Sequence, residues 1–106
     1  MAEVKQIDVE EVYEIFNKKN DDYVLIDIRE PDEWEQGTIP NIKKISMGEL
    51  PNHFSEMDKN KKYIMVCRSG ARSNRMSAFM LEQGFSDVSN FQGGMLSWYD
   101  EDYPLE

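Results

Sequence analysis

An α/β fold is the class this sequence predicts: a five-stranded, mainly parallel sheet with helices on both faces. Three observations lead there. Short apolar runs, densest at residues 23–28 and 63–66, alternate along the chain with stretches of helical spacing. The turns between them are short and built around Gly, Pro, Asn and Asp. Strand–helix alternation with short connections brings strands into one parallel sheet, whose two apolar faces must then be covered by the intervening helices.

Residues 4–7 form a short first strand. Asp8 then stands as a helix cap with Glu11 three residues on, and Val9, Val12, Ile15 and Phe16 recur at helical spacing until Lys18, Lys19 and Asn20 close the element. Residues 23–28 are the second strand, stopped at Arg29-Glu30-Pro31 because proline cannot continue a sheet ladder. Glu33 and Trp34 fall in a short helical segment, where Trp34 reads as packing, and residues 37–41 are a turn. A third strand is expected at 43–46, a short helix interrupted by Pro51 at 49–57, and a charged, solvated connector at 58–62. The central strand, 63–66, leads through a loop at 67–72 into a helix at 73–83 that Gly84 ends. A fifth strand at 87–91, a tight turn at 92–94 and a last helix from Met95, carrying Leu96, Trp98 and Tyr99, complete one domain, 1–106.

Bulk properties exclude several functions. The chain is 40% hydrophobic and 31% charged, the balance of a folded domain rather than a disordered one. A net charge of −9 opposes nucleic acid and anionic membranes, whose phosphates it would repel. No leader-like basic and apolar start is present, and no run is long enough to cross a bilayer, so the expected compartment is the cytoplasm. One cysteine allows neither an internal disulfide nor a cysteine-only metal site; His53, alone in a polar stretch, reads as surface, and no metal or cofactor is expected.

That one cysteine is where the chemistry concentrates. Cys67 falls at the carboxyl end of the central strand, where a loop opens into a helix, the place at which open parallel sheets bind ligands. Consecutive backbone N–H groups of residues 68–73, curling around the sulfur, would make an anion-binding nest, and the helix amino end adds its partial positive charge. Arg68, Arg72 and Arg75 put three of the chain's four arginines within eight residues of the sulfur. These features favour a thiolate; the bland alternative is a small buried hydrophobe. Asp27 and Arg29, at the end of the second strand, read first as an ion pair that holds the strand to its loop.

The loop Cys67-Arg68-Ser69-Gly70-Ala71-Arg72 with Ser73 resembles the active-site loop of rhodanese-like domains, the thiosulfate and persulfide sulfurtransferases. The likeness extends through Leu25-Ile26-Asp27-Ile28-Arg29, Glu33-Trp34, Gly37-Thr38-Ile39-Pro40, Gly84-Phe85, Asp87-Val88, Asn90, Gly93-Gly94-Met95 and Trp98. Thr38 stands where the family commonly has His, and Asn41-Ile42 where it has Gly-Ala. The resemblance implies the three-layer rhodanese-like fold and a Cys67 persulfide, loaded from a small anionic sulfur donor and discharged to a thiol or cyanide acceptor or to a sulfur-relay protein. Arg68 and Arg72 would orient the donor, Ser69, Gly70, Ala71 and Ser73 would line the loop, and Asp27 and Arg29 would brace the region. Arg72 has a second reading, holding the loop together. Two other functions compete: a carrier or redox-regulatory module without turnover, and phosphatase or arsenate-reductase chemistry. The loops of the latter place five residues between Cys and Arg, where this chain has four.

Overall fold

Five strands form one sheet in the order β1-β5-β4-β2-β3, every neighbouring pair parallel. The computed structural model describes residues 3–19 and 21–106; Met1, Ala2 and Asn20, the last expected to help close the first helix, lie outside the described residues. The strands are β1 (Lys5–Ile7), β2 (Tyr23–Asp27), β3 (Lys43–Lys44), β4 (Lys62–Val66) and β5 (Asp87–Phe91); the helices are α1 (Val9–Asn17), α2 (Pro31–Trp34), α3 (Ala71–Glu82) and α4 (Gly94–Asp100). Asp8 caps α1 by accepting from the Glu11 N–H at 3.0 Å.

Strand alternation divides the core in two. Tyr63, Met65 and Cys67 point to one face, where they pack with Met76 and Met80 of α3, Phe85 and Leu50. Ile64 and Val66 point to the other, against Val12 of α1 and Met95 and Trp98 of α4. Helices therefore cover both faces, as the apolar runs required. Cys67 continues the alternation of β4 by one residue, which carries its side chain beneath the start of α3.

Most elements begin or end within a residue of expectation; three differ more, each for a local reason. Regular pairing in β3 stops at Lys44, although Ile45 and Met47 still donate to Asp27 and Ile28 carbonyls at 3.2 and 3.0 Å. The 49–57 helix is a 3₁₀ segment, Leu50–Glu56, with Pro51 in its first turn. Most consequential, α3 begins at Ala71 rather than Ser73, because Gly70 adopts a left-handed conformation (φ 99°) and turns the chain directly into the helix. The loop thus spans four residues, Cys67 to Gly70. Among the described residues no helix is long and apolar enough to cross a membrane.

Candidate active site

Cys67 is buried, 1% exposed. Its sulfur is nevertheless surrounded by donors. The Gly70 N–H points at Sγ from 3.1 Å and the Ser73 N–H from 3.4 Å, and Ser73 Oγ lies 3.2 Å away. Burial pushes the thiol up, but the Ser73 hydroxyl and the Ser73, Gly70 and Ser69 amides outweigh it, and the pKa is lowered below the ordinary value. A merely apolar cysteine would show the burial without the donors.

The donors point inward because the carbonyls point outward. The first turn of α4 takes two of them: Met95 N–H donates to the Cys67 carbonyl at 2.9 Å and Leu96 N–H to the Arg68 carbonyl at 3.0 Å. In a trans peptide C=O and N–H are opposed, so turning the Arg68 carbonyl toward α4 turns the Ser69 N–H toward the sulfur. Gly94 makes this approach possible. A Cβ there would sit 2.5 Å from the Cys67 carbonyl oxygen and 2.6 Å from that of Arg68. On the other side of the loop, a Cβ on Gly70 would press on the Phe91 carbonyl and the Gly93 amide, each 3.2 Å away.

The arginines divide by role. Arg72 forms a two-point pair with Glu33 of α2, Nη1 to Oε1 at 2.8 Å and Nη2 to Oε2 at 2.9 Å. The guanidinium holds Glu33 down to about 2. Arg72 is therefore not the free donor-orienting cation of the first reading; it ties the first turn of α3 to α2, the second reading, while its charge still favours the Cys67 thiolate. Arg68 and Ser69 lie exposed on the loop and Arg75 exposed on α3.

Asp27 and Arg29 form the expected ion pair, fully buried. Arg29 Nε and Nη2 contact the carboxylate at 2.8–3.1 Å, while Nη1 donates to Tyr99 Oη at 3.0 Å and Nη2 to the Gly37 carbonyl at 3.0 Å. Burial disfavours the Arg29 charge, yet Asp27 more than restores it and the guanidinium is held above its usual value. The pair clamps β2 to the 37–41 turn and to α4, braces the sheet end near Cys67, and does not touch the sulfur.

Two participants carry roles that the sequence alone does not assign. Glu33 reads there as part of a helical turn and of the family resemblance. Asn90, 2% exposed on β5, bonds Ser73 Oγ through Oδ1 at 2.5 Å and the Gly70 carbonyl through Nδ2 at 3.1 Å. A polar amide inside an otherwise buried strand was the available signal, since such groups are retained where they have partners.

Fold and loop together define a class: an α/β domain whose single cysteine is held, beyond the central parallel strand, in a loop whose amides point at the sulfur. The family pattern of the rhodanese-like domain matches residues 8–101. The putative sulfurtransferase YtwF of Bacillus subtilis is 39% identical over 102 residues, 96% of this chain and 97% of that protein. The thiosulfate sulfurtransferase GlpE of Pseudoalteromonas translucida is 31% identical over 94 residues, 89% and 88% of the two chains. A rhodanese-like domain protein from Staphylococcus aureus, of known crystal structure, matches 97% of each chain with a TM-score of 0.85 at 32% identity. The chain belongs to the rhodanese-like domain family.

Proposed function

We propose that this protein is a sulfurtransferase, acting as one domain, with Cys67 as nucleophile and carrier. The observation that supports this most is the set of amide and hydroxyl donors on a single buried sulfur. Such donors keep a thiolate ionised without a base. The names of the relatives above agree with this class of activity.

The reaction runs in two displacements. The Cys67 thiolate attacks the sulfane sulfur of a donor such as thiosulfate; the Sγ–S bond forms, the donor S–S bond breaks, and its electron pair leaves on sulfite. A second nucleophile, a thiolate or cyanide, then attacks the terminal sulfur and the Cys67 thiolate departs. The loop amides of the cradle serve the attacking thiolate and the terminal persulfide anion alike. With no second cysteine, the persulfide meets no resolving thiol in its own chain. Phosphoryl transfer is disfavoured because the nearby guanidinium of Arg72 is already engaged by Glu33 at both nitrogens.

Incubation with thiosulfate followed by intact-mass measurement tests the proposal. Wild type gains one sulfur atom and, on adding cyanide, releases thiocyanate; Cys67→Ala does neither. Wild type that gains no sulfur overturns the proposal. Stoichiometric loading without turnover, across thiol and cyanide acceptors, assigns the protein to the carrier class instead.

A further inference from the structure

Ser73 has one hydroxyl proton and two acceptors for it, Cys67 Sγ at 3.2 Å and Asn90 Oδ1 at 2.5 Å. The amide of Asn90 is oriented from outside. The Gly70 carbonyl, which can only accept, lies 3.1 Å from Nδ2, and Gln6 Oε1 takes the other Nδ2 proton at 2.7 Å. Gln6 is oriented in turn by the Val4 carbonyl, 3.3 Å from its Nε2. Asn90 therefore presents its oxygen to Ser73. In the neutral thiol the chain S–H to Ser73 Oγ–H to Asn90 Oδ1 is complete. Ionisation breaks it, because thiolate and amide oxygen are both acceptors with one proton between them.

We infer that Asn90 is a positioning residue acting through Ser73. It draws the hydroxyl away from Cys67 while the sulfur is neutral, as a thiol or as the bridging atom of a persulfide, and gives it up when the sulfur is a bare thiolate. The bare thiolate leaves the buried Asn90 oxygen without its partner, and loading with sulfur restores that bond. Asn90 thus biases the site toward the loaded form. The persulfide half rests on the function proposed above; the thiol half rests on the hydrogen bonds alone. The charged groups around the sulfur are Arg72 on α3, paired with Glu33 of α2, and Arg68 next in the chain. From α4 come backbone N–H groups to the loop carbonyls and from β5 the neutral amide.

The pH profile of alkylation by iodoacetamide, with no sulfur donor present, tests this in wild type, Asn90→Leu, Ser73→Ala and the double variant. Asn90→Leu frees the hydroxyl for the sulfur and moves the midpoint down by about one pH unit, the shift that one charge-assisted hydrogen bond gives. Ser73→Ala moves it up, and on that background Asn90→Leu has no further effect. An unchanged or raised midpoint in Asn90→Leu, or the same shift in both backgrounds, overturns the inference. If Asn90→Leu does not fold, the carbon-13 resonance of Asn90 Cγ decides: it follows the Cys67 titration in wild type and is flat in Ser73→Ala. A wild-type resonance that ignores the titration overturns the inference too. After thiosulfate loading the same resonance returns to its low-pH position. Wild type that never gains sulfur removes the proposed function and leaves the thiol-half outcomes standing.

Discussion

Glu33 and Arg72 show how a single contact changes a residue's meaning. As sequence, Arg72 is a cation five residues along the chain from a sulfur and Glu33 an ordinary helix-starting acid; as structure, each satisfies the other with two short hydrogen bonds. The consequence is a pH dependence with a definite sign. Glu33 falls from 4.5 to about 2 on folding, so the unfolded chain binds its proton first as pH drops. The pair's stabilisation is complete above 4.5 and disappears as pH falls through about 2. Partial exposure reduces its size to about 1 kcal/mol. Glu33→Gln should therefore unfold more easily than wild type in urea at neutral pH, with the difference shrinking toward zero near pH 2. A difference that persists at that acidity contradicts the assignment.

At the scale of elements, the cradle depends on how closely α4 approaches the loop after β4. Gly94 is the hinge of that contact, at φ 56° and with no space for a Cβ. Gly94→Ala should cost about 2–4 kcal/mol in denaturant unfolding, from the left-handed backbone and the clash with two carbonyls. It should also return the Cys67 thiol toward its ordinary titration, since displaced carbonyls no longer aim the amides at the sulfur. A variant with wild-type stability and thiol behaviour would contradict this. Much of this element-level picture was legible beforehand. The apolar runs at 23–28 and 63–66 located β2 and β4, and the arginine-rich loop located the cysteine. What was not legible depends on contacts far apart in sequence. Gly93-Gly94 reads as a turn and as part of the family resemblance, and nothing local shows that a carbonyl lies 2.5 Å from where a Cβ would be. Gly70 shortened the loop by two residues through a backbone conformation that the sequence permits but does not require. Asn90 belongs to the family resemblance, but its bond to Ser73 appears only when β5 is laid beside β4.

At the scale of the molecule, the strand order places β4 in the middle of the sheet, so its carboxyl end is flanked by β5 and β2 and roofed by α3 and α4. The fold therefore delivers a sulfur to a site almost closed to water, in a chain of net charge −9, where an anion ought to be least welcome. Neutral donors resolve that conflict: amides and a hydroxyl stabilise the thiolate without adding formal charge to the interior, and the Asp27–Arg29 pair fixes the neighbouring strand end without presenting its charge to the sulfur. The most direct measurement is the ultraviolet titration of the Cys67 thiolate in the wild-type protein against Cys67→Ala. The account predicts a midpoint below the ~8.5 of a free cysteine. A midpoint at or above that value would mean that burial outweighs the donors, and that Cys67 is a core residue rather than a sulfur carrier.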